Sequence, residues 1–107
     1  MTRQSTARAI LNNWHALKER RYAGDMDAVD TLLDFETAIS IANLTDRQLT
    51  ALSLVYIEDL TQASAGKRMG TSQQSVGELV NRAGLRLDDI YAKWAECGDY
   101  YKYEEAI

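Results

Sequence analysis

Residues 44–83 read LTDRQLTALSLVYIEDLTQASAGKRMGTSQQSVGELVNRA. Thr61 is placed to accept a backbone N–H bond at the start of a helix over Gln62 to Met69. Gly70 then supplies the left-handed residue that ends it. Thr71 or Ser72 caps the next helix, and with Thr71 as the cap, Gln74 stands where its side chain can complete a capping box. A short helix, a glycine turn and a capped second helix present that second helix outward, as a helix-turn-helix does.

The same grammar recurs upstream. Thr45 and Gln48 form a capping box, with Leu44 stapled onto Leu49, so a helix begins at Asp46. Its apolar residues Leu49, Leu52, Val55 and Tyr56 fall at helical spacing, and the pattern predicts an end near Asp59, just before Thr61.

These residues resemble region four of sigma-70-type transcription factors. They also resemble the small phage or prophage regulators built on that region, ArpU-like late-gene regulators among them. The matching pieces are Leu44-Thr45-Asp46-Arg47-Gln48, Tyr56-Ile57-Glu58-Asp59-Leu60-Thr61-Gln62, Lys67-Arg68-Met69-Gly70, Ser72-Gln73-Gln74-Ser75-Val76 and Asn81-Arg82-Ala83. The likeness spans residues 44–83, with the helix-turn-helix inside 61–83. It implies double-stranded DNA as the partner, with the second helix in the major groove. Gln73, Gln74 and Glu78 would then face base edges, and Lys67, Arg68, Ser72, Ser75, Arg82 and Arg86 would face phosphates. Glutamine suits this because its carboxamide both donates to and accepts from the adenine edge.

The chain departs from the family pattern at four places. Ser64 stands where the family usually has glutamate and Gly66 where it usually has alanine, which predicts a weaker first helix of the motif. In an exposed helix interior, glycine for alanine costs about 1 kcal/mol. Gly77 offers no side chain to read a base, and the Glu78 carboxylate is repelled by phosphate.

The chain has 107 residues, 46% of them hydrophobic, and no proline. This length suits one domain with a modest core. With helical periodicity almost throughout, the fold class is all-α: a compact helical domain of about five helices, spanning 1–107. No apolar run is long enough to span a bilayer and the amino terminus shows no signal-peptide pattern, so a cytoplasmic protein is expected. The lone Cys97 allows no internal disulfide, and one histidine gives no zinc-ligand spacing. No metal, cofactor or catalytic constellation is read, and an enzyme is not expected.

Net charge is −4, but its distribution is uneven. Residues 1–23 carry +4, residues 24–59 carry −7, residues 60–94 carry +2 and residues 95–107 carry −3. The helix-turn-helix and the amino-terminal segment are therefore locally positive on an acidic molecule, as an orienting field requires.

In chain order, Ser5 or Thr6 caps a first helix carrying Ala7, Ile10, Leu11, Trp14 and Leu17, with Lys18 to Arg21 complementing the dipole at its end. Ala23-Gly24 stops it. Lys18, Arg20 and Arg21 read as a solvated basic end, with phosphate contact the alternative. His15, beside Trp14, reads as an ordinary partly exposed histidine. Asp25 and Asp27 suit the start of a second helix, which Val29, Leu32, Leu33, Phe35, Glu36 and Ile39 carry to about Ala42. Asp25, Asp27 and Glu36 coincide with calcium-loop ligand positions, yet Val29 offers no side-chain oxygen and Asp30 lacks the freedom of the glycine required there. The acidic run reads as a solvated face.

Past the motif, Val76, Leu79, Val80, Ala83, Leu87, Ile90, Tyr91 and Trp94 keep one apolar face over several turns. Gly84 either bends this helix or breaks it, in which case Asp88-Asp89 opens a separate one. The core is expected to gather Trp14, Leu33, Ile39, Leu52, Val55, Val76, Leu79 and Val80. The stripe Leu87, Ile90, Tyr91 and Trp94 suggests a homodimer through the carboxyl-terminal helix, unless the amino-terminal helix covers it. The tail Tyr100-Tyr101-Lys102-Tyr103-Glu104-Glu105 either packs back, meets a partner or frays.

Two functional readings follow. The first is a sequence-specific DNA-binding regulator of transcription, favoured by the locally positive helix pair and the glutamine pair. The second is a protein-interaction module that keeps the sigma-like shape and binds RNA polymerase or another regulator, favoured by the overall acidity, Gly77 and Glu78. A small DNA-packaging subunit is a weaker third.

Overall fold

A computed structural model describes residues 5–96. Cys97 and the tyrosine-rich tail lie outside the described residues. Six α-helices and no strand are found among the described residues: α1 (Thr6–Asn12), α2 (Trp14–Tyr22), α3 (Met26–Ala42), α4 (Asp46–Leu52), α5 (Gln62–Met69) and α6 (Gln73–Glu96). A π-helical turn, Ser53–Ile57, continues α4.

Every helix except α2 starts where a side chain supplies an acceptor for otherwise orphaned N–H groups. Ser5 Oγ accepts from Arg8 N–H at 3.1 Å, and Asp88 Oδ1, far along the chain, takes Ala7 N–H at 2.9 Å. Asp25 Oδ1 accepts from both Asp27 and Ala28, opening α3. The capping box read at Thr45 and Gln48 is present in both directions, at 3.1 and 3.0 Å.

The single amino-terminal helix expected from the sequence is two helices. Asn13 leaves the helical region at φ −105°, ψ 16°. Its Nδ2 donates to Ala9 O at 2.8 Å, offering the backbone carbonyl an alternative partner just where the chain turns. The apolar spacing of Ile10, Leu11 and Leu17 is unaffected by this break, so periodicity alone does not reveal it.

The helix from Asp46 ends two residues before the expected Asp59, and its last turn is widened. Glu58 N–H reaches back five residues to Ser53 O at 2.9 Å, and Leu60 N–H reaches Leu54 O at 2.9 Å. Asp59 takes up the direction change with φ 59°, and its Oδ2 meets His15 Nε2 at 3.0 Å.

Helix α6 packs against α1, α3, α4 and α5. Its buried residues Val76, Val80, Ala83, Leu87, Ile90 and Tyr91 face a core shared with Ala7, Ile10, Leu11, Leu32, Phe35 and Leu52. Of the expected core residues, Leu52, Val76 and Val80 are buried, while Trp14, Ile39, Val55 and Leu79 lie partly buried at its margin. Leu33 is a correction: it is 52% exposed, and its neighbour Leu32 is fully buried. Ala28, Leu32, Phe35, Ala38 and Ala42 recur at helical intervals and fix the inward face of α3, leaving Leu33 on the opposite side.

Helix α6 runs unbroken through Gly84, so Asp88-Asp89 does not open a new helix. Gly84 is buried where Arg8 crosses, Arg8 Nε lying 3.6 Å from the position a Cβ would take. The stripe that suggested a homodimer is likewise accounted for within the chain. Leu87, Ile90 and Tyr91 are buried and Trp94 packs against the core, in edge contact with Tyr91 at 5.2 Å between ring centres.

Candidate nucleic-acid interface

The two motif helices are set by two hydrogen bonds and one left-handed glycine. Thr61, extended at φ −66°, ψ 159°, accepts Ser64 N–H on Oγ1 at 3.1 Å and opens α5. Gly70, at φ 71°, ψ 33°, closes it in the left-handed conformation that suits glycine. The chain then folds back on α5, with Thr71 N–H donating to Gly66 O at 2.8 Å.

That return explains Gly66. A Cβ there would sit 2.8 Å from Thr71 O and 3.1 Å from the carbonyl carbon of Ser72, both backbone atoms. Gly66 is buried, so the expected weakening of α5, argued for an exposed helix interior, does not apply. The missing methyl is what lets the turn lie against the helix.

Of the two caps left open by the sequence, Ser72 is the one used. Ser72 Oγ accepts Ser75 N–H at 3.0 Å and pairs with Ser75 Oγ at 3.1 Å. Both hydroxyls expected at phosphate thus first serve the start of α6. The N–H groups of Gln73 and Gln74 open this helix at its positive dipole end, a setting that favours anions.

From there the helical period arranges the exposed side chains. Gln74, Glu78 and Arg82 stand four residues apart on one solvent-facing side, joined by Asn81. Gln73 lies on the side toward Gly77 and α5. At Gly77, a Cβ would lie 3.1 Å from Gln62 Oε1. The carboxamide of Gln62 therefore reaches over the gap that glycine leaves.

The basic residues divide by what they already hold. Lys67 and Arg82 are exposed and carry no ion pair or hydrogen bond among the described residues. Arg68 Nη1 lies 4.0 Å from Glu58 Oε1, an exposed pair that leaves the guanidinium open to solvent. Arg86 differs, since Nε and Nη2 both donate to Ala42 O, at 3.1 and 2.8 Å. Its guanidinium is bonded to the end of α3, although the four-residue spacing of Gln74, Glu78 and Arg82 continues to Arg86.

Sequence reasoning missed three residues at this surface. Gln62 emerges only through its proximity to Gly77. Asn81 emerges through Arg8, whose Nη2 donates to Asn81 Oδ1 at 3.3 Å and steadies the carboxamide from outside the motif. Arg47 belongs to the stretch that carries the resemblance, and it is exposed in the first turn of α4 without a partner among the described residues.

Among the described residues no cluster of three or more His, Cys, Asp or Glu side chains is arranged to hold a metal ion. No helix among them is long and apolar enough to cross a membrane.

Fold and surface together define an all-helical helix-turn-helix protein whose second motif helix is exposed at its capped amino-terminal end. Residues 40–88 match the family described as Sigma-70, region 4. The match extends beyond 44–83 at both ends, taking in the last turn of α3 and all of α6 as far as Asp88. Comparison with curated proteins and with solved structures returned no match.

Proposed function

We propose that the protein is a sequence-specific DNA-binding regulator of transcription, of the kind found in phages and prophages, acting in the cytoplasm without catalytic activity. In this reading α6 enters the major groove of duplex DNA. Gln73 and Gln74 meet base edges at its tip, and Glu78 faces bases one turn on, where a carboxylate can accept from cytosine. Gln62 supplies a further carboxamide above Gly77. Lys67, Arg68 and Arg82 neutralise phosphates, with Ser72 and Ser75 adding hydroxyl contacts from the cap. Arg86 is left out of this set because its donors hold Ala42.

The observation that carries the reading is the pair of exposed carboxamides at the capped start of a helix that the rest of the protein holds from behind. The region-four similarity of residues 40–88 supports it. Selection of bound sequences from random duplex DNA at low salt tests it. A recurrent motif that is lost with Gln73→Ala or Gln74→Ala supports base reading, and recovery of unselected sequence overturns it.

A second reading is favoured by a separate feature, an open apolar cavity of about 550 Å³. Leu11, Trp14, Phe35, Ile39, Leu52 and Ile57 line it, between the amino-terminal helices and α4. In that reading the protein keeps the sigma-like shape and engages RNA polymerase or another regulator with little DNA contact. Capture of purified RNA polymerase by the protein, in the absence of any duplex binding, would decide for it.

A further inference from the structure

Helix α3 is apolar on two opposite sides, and its own chain covers only one. Ala28, Leu32, Phe35, Ala38 and Ala42 form the buried side. Half a turn away, Met26, Leu33 and Ile41 are 67%, 52% and 56% exposed, and Tyr22, at the end of α2, is 96% exposed. Met26, Leu33 and Ile41 recur at intervals of seven and eight residues, so they form a stripe along one side over roughly 22 Å of helix. Large apolar side chains aligned on the outer side of a surface helix suit a second layer packed over them, and here that layer is missing.

The edges of the stripe indicate what that layer is. Asp27, Asp30 and Asp34 stand at spacings of three and four along one edge, and Glu36 stands on the other. Helix α3 contains these four acidic residues and no basic one. A second copy presenting the same face would set carboxylates against carboxylates. The basic helix of a second copy, α2, is poorly suited too, because Arg20 is bonded to Asp25 at 2.9 Å and Arg21 lies 3.9 Å from Glu36.

We propose that the outer face of α3 docks an amphipathic helix of another protein, one with an aliphatic seam bordered by lysine or arginine. The seam lies over Met26, Leu33 and Ile41, and the basic border lies along Asp27 and Asp30, as flanking charges do in paired helices. This face is on the opposite side of α3 from Phe35 in the apolar cavity, and no residue of α6 takes part. Docking is therefore independent of duplex binding.

The test uses the full chain and a labelled synthetic helix with leucine at heptad a and d positions and lysine at e and g. Fluorescence anisotropy is expected to show saturable binding of one peptide per chain. The pair Leu33→Ser with Ile41→Ser, and separately Asp27→Asn with Asp30→Asn, should each weaken it by about tenfold or more. A version of the peptide with glutamate for lysine should not bind. These substitutions are on exposed positions, and unchanged helical circular dichroism confirms that the variants fold. The proposal is overturned if the lysine peptide does not bind saturably, if it binds both variants as well as the parent, or if the glutamate peptide binds equally. It is also overturned if the protein alone sediments as a dimer that Leu33→Ser with Ile41→Ser converts to monomer, since a second copy would then be the occupant.

Discussion

The guanidinium of Arg86 closes the carboxyl-terminal end of α3 by donating two hydrogen bonds to the carbonyl oxygen of Ala42, at 3.1 and 2.8 Å. Asn43 follows in the left-handed conformation, at φ 54°, and turns the chain away. The last carbonyls of α3 thus lack intrahelical donors. A cation at this end also meets the negative pole of the helix dipole. One side chain of the long helix thereby fastens the helix that packs behind it.

Arg86→Ala should accordingly act on stability. Hydrogen bonds to a charged group contribute about 1.5–3 kcal/mol, and their loss here should appear as a shift of that order in denaturant unfolding. The salt dependence of duplex binding should stay the same, because no phosphate contact is removed. An unchanged unfolding midpoint together with a shallower salt slope would return Arg86 to the DNA surface.

Two glycines should respond to alanine in opposite directions. Gly66→Ala would force a methyl to within 2.8 Å of Thr71 O, where only backbone can give way, and should destabilise by about 1–3 kcal/mol. At Gly77 the nearest atom is the far end of the Gln62 side chain. That end can swing aside, so Gly77→Ala should gain up to about 1 kcal/mol from helix propensity. Thermal unfolding of the two variants side by side would check this, and equal signs would contradict it.

Much of this arrangement was legible in the sequence where information is local. Thr45 with Gln48, Thr61, Gly70 and Asp25 announce their caps within four residues of where they act. The cap at Ser72 was one of two readings, and only packing decides it, since the turn must lie against Gly66. What the sequence could not show depends on meetings across the chain: Ala7 with Asp88, Arg86 with Ala42, Gln62 above Gly77. The break at Asn13 is hidden because the apolar spacing continues through it. Leu33 misleads for a different reason, as α3 is apolar on both sides and composition does not say which side its own chain covers.

Leu52 and Leu33 separate these two sides experimentally. Leu52 is 4% exposed among the core helices, and Leu52→Ala should cost about 2–5 kcal/mol. Leu33→Ala, on the open side, should fall within about 0.5 kcal/mol of the parent. Urea unfolding gives both values, and a large loss at Leu33 would place it in the core after all.

Asp25 links stability to pH. The hydrogen bond from the Arg20 guanidinium, followed by that from Ala28 N–H, holds its carboxyl below the ordinary range. A carboxylate with a depressed folded-state pKa stabilises fully above its unfolded value of about 4, and the contribution fades as pH falls through the folded-state value. Asp25→Asn keeps a capping oxygen but loses the charge. The variant should be less stable than the parent at neutral pH, and the gap should close in acid below that range. A gap that persists at the acid end would mean that the charge on Asp25 is not what matters.

The proposed interface predicts that contacts to phosphate and contacts to bases come apart under salt and sequence changes. Lys67→Ala or Arg82→Ala should weaken all duplexes alike, each lowering the slope of log affinity against log salt by about one unit. Gln74→Ala should instead cost about 1–3 kcal/mol on a preferred site and little on others, because its carboxamide would pair with one base. Glu78→Gln should strengthen nonspecific binding, since it removes a negative charge from the side of α6 shared with Gln74 and Arg82. Filter binding of a selected and an unrelated duplex, each at several salt concentrations, separates these effects. If Gln74→Ala weakened both duplexes equally, Gln74 would belong with the phosphate contacts, and the tip of α6 would position the helix without reading sequence.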